Sequence, residues 1–125
     1  MSWVVNSSFW IEWLSAKKPW PSDLQTLPDR TDIIVPTIVQ FEVIKWLRRE
    51  ASEGHADSFL SFSMLCDVVP LDTSLAVYAA EVSRRHTLAM ADAIVYATAL
   101  QKNATLLTFD AHFNGLENAC VLNKI

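Results

Sequence analysis

Ala89-Met90-Ala91-Asp92-Ala93-Ile94-Val95-Tyr96-Ala97-Thr98-Ala99-Leu100-Gln101-Lys102-Asn103-Ala104-Thr105-Leu106-Leu107-Thr108 holds one charged residue in its first twelve positions. Asp92 apart, the stretch is alanine-rich and largely apolar, which predicts a helix over 89–102 that is buried nearly all round. The short apolar run Ala104 to Thr108 predicts a strand. A buried helix feeding a buried strand is the unit from which parallel, helix-covered sheets are built.

The same alternation extends through the chain. Trp3-Val4-Val5 reads as a strand, then Asn6-Ser7-Ser8 supplies turn and cap chemistry for a helix over 9–15. Two prolines around Trp20 break the chain, and a short helix is expected over 22–27. Asp32 to Val35 is a strand stopped by Pro36. Thr37 is placed to cap a helix reaching Ser52, with the stripe Ile38, Phe41, Ile44 and Leu47 facing inward and Gly54 ending it. A helix over 55–66 follows, then a strand over 68–71 whose Pro70 suggests a sheet edge. Asp72-Thr73-Ser74 caps a helix to His86. After the 104–108 strand come a turn at 110–113 and a last strand at 120–122. The expected class is therefore α/β, one domain over residues 1–125, with any functional crevice beyond the carboxyl ends of the strands. Asn6, the 36–42 segment, Asp72 and Asp110 fall there.

Composition narrows the function. The chain has 125 residues, 51% of them hydrophobic, which suits one folded core. Two glycines leave no glycine-rich phosphate loop. A net charge of −4 disfavours a protein that coats nucleic acid, yet leaves open a nuclease whose acids hold metal ions. Cys66 and Cys120 lack the close pairing of a zinc site and read as buried thiols. Neither a signal peptide nor a membrane span is recognisable, so a cytoplasmic protein is expected.

Asp92 is the acid that local structure least explains. Its neighbours at three and four positions are Leu88, Ala89, Val95 and Tyr96, and an unpaired carboxylate among them costs several kcal/mol of desolvation. It needs a cation, hydrogen-bond donors or a proton; capping its own helix is the structural alternative. Glu42 near a helix start is also explained by the helix dipole or by Lys45, Asp110 by turn capping, and Asp72 by its cap sequence. Taken together, Glu42, Asp92 and Asp110 are all expected at one strand-end crevice, where their repulsion calls for a divalent cation such as Mg²⁺ or Mn²⁺. Phosphodiester hydrolysis is the reaction that such a site best supports.

In order, Trp3-Val4-Val5-Asn6-Ser7-Ser8-Phe9-Trp10, Pro36-Thr37-Ile38-Val39-Gln40-Phe41-Glu42-Val43, Ala91-Asp92-Ala93-Ile94-Val95-Tyr96-Ala97 and Leu107-Thr108-Phe109-Asp110-Ala111-His112-Phe113 resemble the four motifs of PIN-domain ribonucleases, in particular VapC-type toxins. The resemblance spans almost the whole chain. It implies a three-layer α/β/α fold with a parallel sheet in the order 3-2-1-4-5. It also implies Mg²⁺- or Mn²⁺-dependent endonucleolytic cleavage of RNA, tRNA among the targets, by Asn6, Glu42, Asp92 and Asp110. A VapB-type antitoxin is the implied partner, with DNA met only through it, in a homodimer or a toxin–antitoxin hetero-oligomer. Asn6 departs from the pattern, which has Asp there. Asn keeps a carbonyl oxygen but lacks the charge that hard cations prefer, so weakened activity is expected. An inactivating change made to a toxic nuclease and a natural variant both account for it.

Substrate contacts are expected from Ser8 and Thr108 and from the cation pair Arg84-Arg85, with Lys17-Lys18 and Arg48-Arg49 as further pairs. Trp13, Trp20 and Trp46 are candidates for an apolar groove that takes an antitoxin helix. Two alternatives are a catalytically inactive PIN-like binding module and a phosphoacceptor receiver domain using Asp72, Thr108 and Lys124.

Overall fold

The computed structural model describes residues 1–15 and 28–123. The expected 22–27 helix, Trp20, Lys17-Lys18 and Lys124 lie outside them. Five strands, β1 (Trp3–Val5), β2 (Ile33–Pro36), β3 (Asp67–Val69), β4 (Thr105–Thr108) and β5 (Ala119–Val121), form one sheet in the order β3-β2-β1-β4-β5. Every pairing is parallel. Among the described residues five α-helices cover it: α1 (Ser7–Leu14), α2 (Thr37–Glu50), α3 (Glu53–Ser63), α4 (Thr73–His86) and α5 (Met90–Gln101). This is the expected three-layer α/β/α arrangement.

The strands are short and apolar because both faces are covered. Val4, Val5, Ile33, Val35, Leu106 and Leu107 are fully buried, and Phe9 and Trp10 of α1 complete the centre of the core. Helix α5 is buried continuously from Ala93 to Ala99. Its polar groups are answered internally: Thr98 Oγ1 donates to the Ile94 carbonyl at 2.8 Å, and the Tyr96 hydroxyl donates to the Glu117 carbonyl at 2.6 Å. No helix among the described residues is long and apolar enough to cross a membrane.

Several local expectations need correction. Thr37 does not cap α2. It is the first helical residue, and its hydroxyl accepts from the Leu71 amide at 3.3 Å, tying α2 to the segment after β3. Gly54 does not end α2 either. That helix stops at Glu50, and Ser52 caps α3, within which Gly54 lies. The buried face of α2 is Val39, Val43 and Leu47, while Phe41 is 60% exposed. Apolar residues surround the first half of α2, so two stripes fit the helical period and only packing selects one. Cys66 and Cys120 are half-buried rather than buried, and neither is in a disulfide.

Candidate metal centre

The sheet's topology creates the crevice. From β1 the chain moves outward through β2 to β3, then returns to the other side of β1 as β4. The order therefore reverses at the β1/β4 boundary, where neighbouring connections leave the strand ends in opposite directions and a cleft opens. Asn6 follows β1 and Asp110 follows β4, one on each side of it.

Asn6 is only 6% exposed. Its amide continues the ladder to the Leu107 carbonyl at 2.9 Å, while its side chain caps α1. Oδ1 accepts the Ser7 amide at 2.9 Å, and Nδ2 donates to Thr108 Oγ1 at 2.9 Å. Thr108 Oγ1 also accepts the Asp110 amide at 3.0 Å and lies 3.1 Å from Ser8 Oγ, which in turn accepts the Phe109 amide at 3.1 Å. With two donors on Thr108 Oγ1, its own proton is directed to Ser8. This network clamps the ends of β1 and β4 together. Thr108 is fully buried, and its hydroxyl is engaged within the turn.

Glu42, on the second turn of α2, accepts from the Ser7 hydroxyl, so α2 is joined to the β1 turn by one hydrogen bond. Ser7 was not singled out from the sequence, because a hydroxyl after a strand already has a role in helix capping. Its position beside Asn6 is the signal that was available.

Asp92 lies in the first turn of α5, and the capping alternative does not hold: Ala89 is the cap residue, with no side-chain cap bond. Its carboxylate instead reaches His112, with Oδ2 at 3.2 Å from Nδ1. Asp110 Oδ1 is also 3.2 Å from that nitrogen and accepts the His112 amide at 2.9 Å. One ligand atom from each of Asp92, Asp110 and His112 lies within 4.8 Å of the others, and Glu42 is not in this group. Burial pushes the Asp92 carboxyl above its usual value, helped by the nearby Asp110 charge, while the contact with His112 pulls the other way. Two carboxylates and an imidazole nitrogen this close are a donor set that fits a divalent cation. His112 was missed because an exposed histidine in a turn needs no special explanation. The Asp-x-His spacing across a capped turn was its only mark.

The other predicted residues have partners of their own. Asp72 caps α4 by accepting the Leu75 amide at 2.9 Å. Arg84 and Arg85 are exposed on α4 and pair with Glu81, which holds the Glu81 carboxyl below its usual value. Arg48 and Arg49 pair with Glu53 and Glu50. Exposed pairs of this kind are worth at most about 1 kcal/mol and exchange readily for other anions. Trp13 and Trp46 line a cavity of about 820 Å³ together with Trp10, Phe59 and Phe62.

No curated protein sequence matches the chain significantly. Solved structures do. A toxin–antitoxin complex from Klebsiella pneumoniae contains a chain that aligns with a TM-score of 0.83 at 19% identity, covering 99% of this chain and 100% of that one. VapBC2 from Rickettsia felis, bound to a DNA fragment from its promoter, aligns at 0.73 with 17% identity and 98% coverage of both chains. VapC20 from Mycobacterium tuberculosis, described as a Sarcin-Ricin loop cleaving toxin, aligns at 0.65 with 21% identity over 90% of this chain and 92% of that one. At these identities the likeness is one of fold. The sequence itself carries the assignment: the PIN domain family model matches residues 3–118, from β1 to the threshold of β5, so the chain belongs to the PIN domain family.

Proposed function

We infer that this chain is a VapC-type endoribonuclease toxin that hydrolyses RNA phosphodiester bonds with Mg²⁺ or Mn²⁺, in a form weakened by Asn6. The observation that carries this reading is the meeting of Asp92 and Asp110 at the strand-order reversal, beside Asn6 and with Glu42 one hydrogen bond away through Ser7. Asp92 and Asp110 would hold the ion, with Asn6 contributing at most a carbonyl oxygen and Glu42 available to orient water or a second ion. A divalent cation bound there supplies Lewis-acid stabilisation of the charge that builds on a phosphoryl group. The protein's own contribution is positional. The Asn6–Thr108–Ser8 network fixes the two strand ends, the α5 first turn presents Asp92, and Arg84 and Arg85 can exchange Glu81 for RNA phosphates.

The partner in this reading is a VapB-type antitoxin, in keeping with the toxin–antitoxin complexes that share the fold, and the aromatic cavity beside Trp46 suits an apolar helix. DNA would be met through the antitoxin only, in a homodimer or hetero-oligomer in the cytoplasm, and tRNA is a suitable substrate class.

The test is Asn6→Asp. Restoring a charged ligand should raise Mg²⁺-dependent cleavage of total RNA by roughly tenfold or more. Equal cleavage by both forms in a purified assay rejects the site. Absence of cleavage in both forms, with metal binding retained, favours the second reading that Asn6 supports, a non-catalytic PIN-like binding module.

A further inference from the structure

His112 is left unused by the phosphodiesterase reading, yet it is held in place from both directions. Its amide is tied to Asp110, and the 3-10 turn Ala111–Phe113 that carries it is anchored by the fully buried Phe113, whose ring lies 6.2 Å from that of Tyr96 on α5. We propose that His112 is a nitrogen ligand of the divalent ion, and that this chain therefore selects Mn²⁺ and later first-row ions over Mg²⁺. The proposal rests on the metal-dependent reading of the same site.

Three observations support it. First, Nδ1 stands 3.2 Å from an oxygen of Asp92 and 3.2 Å from one of Asp110. Adjacent donors on a six-coordinate ion with bonds of about 2.1 Å are about 3 Å apart, so little movement is needed. Second, Asn6 removes one negative charge from the ligand set, and what remains of it is committed: Nδ2 is spent on Thr108 and Oδ1 already accepts the Ser7 amide. A neutral imidazole adds a strong donor without adding charge. Third, the His112 side chain is 72% exposed. Nδ1 is the ring nitrogen that meets both carboxylates, as a ligand of a shared ion would, and water can reach the ion from the open side of the ring. Magnesium prefers oxygen donors and gains little from the ring, whereas affinity for a mixed nitrogen–oxygen set rises along the first-row series.

A competing role has the opposite sign. If the ring serves as a cation that neutralises the two acids, it excludes metal, and its removal strengthens metal binding. The experiment uses the full chain, titrated with Mn²⁺ by following the free-ion EPR signal and with Mg²⁺ by calorimetry, beside His112→Ala. Pulsed EPR of the bound Mn²⁺ reports a nitrogen ligand. Expected results are nitrogen coupling in the parent chain, and its loss in His112→Ala together with about tenfold weaker Mn²⁺ binding and a change below about threefold for Mg²⁺. Unchanged or tighter Mn²⁺ binding by His112→Ala, or bound Mn²⁺ without nitrogen coupling, overturns the role of His112 and leaves the carboxylate site standing. A parent chain that binds neither ion overturns both.

Discussion

Asp92 is held where its charge is disfavoured. Burial raises its pKa, Asp110 adds to that, and the His112 contact offsets only part. A carboxyl whose folded pKa exceeds its unfolded value binds more protons in the folded state between the two values. Stability therefore falls as pH rises through that window, which begins near the ordinary Asp value of about 3.9, and the loss persists above it. Asp92→Asn should accordingly raise the melting temperature of the metal-free protein at neutral pH, with the gain vanishing as pH drops below the unfolded value. The same change should abolish any cleavage gained by Asn6→Asp. Lower stability of Asp92→Asn at neutral pH would mean that its contact with His112 outweighs its desolvation. Asp92 was legible in the sequence because a lone charge within an apolar helix has few structural excuses. Asp110 was legible only as a member of a set, and Glu42, expected in the same set, meets Ser7 instead. Ser7 and His112 were not legible, since hydroxyls and histidines near turns satisfy local rules whether or not they serve a site. Asn6 offers a further instance. Asp in its place keeps the cap on α1, and the Thr108 hydroxyl can rotate to donate where it now accepts, so the fold tolerates either residue.

The start of α4 was readable from its cap Asp72, whereas α2, which has no side-chain cap at Pro36, and α3, whose cap Ser52 read as the end of α2, were misread. The clearest element-level strain is the end of α4. Thr87 closes it in the left-handed conformation, φ 54° and ψ 48°, with its amide bonded to the Ser83 carbonyl. A β-branched residue pays there for the approach of its side chain to the backbone, and glycine does not. Thr87 is exposed, so nothing is lost from the core on replacing it. Thr87→Gly should stabilise the protein by about 0.5–1 kcal/mol in urea denaturation, the relief of strain exceeding the added freedom of the unfolded chain. A destabilised variant would show that the Thr87 side chain contributes contacts outweighing its backbone strain. The α2 face was ambiguous for a different reason. Ile38, Val39, Phe41, Val43 and Ile44 fit two helical stripes, and the choice is made by α1 and α3 packing against α2, which no single-helix pattern records.

At the scale of the whole molecule, alternating strands and helices were enough to predict a parallel sheet, but not its order. The strands are three or four residues long and chemically alike, so no residue specifies its neighbour, and the 3-2-1-4-5 order came from the family resemblance alone. That order matters because it unites distant residues: Asp92 comes from α5, Asp110 from the end of β4, and Asn6 from the end of β1. An ion gripping Asp92 and Asp110 links elements from different parts of the chain, and it binds the folded state alone. Its effect on stability is then set by mass action. At ten times its dissociation constant a ligand contributes about 1.4 kcal/mol, which for a domain of this size raises the melting temperature by about 5 °C. Mn²⁺ added to the metal-free protein should produce that shift, and a chelator should reverse it. The double variant Asp92→Asn with Asp110→Asn should show none, because neutral amides no longer concentrate charge in the cleft. A shift of equal size in the double variant would place the ion elsewhere on the protein and separate metal binding from the strand-end crevice.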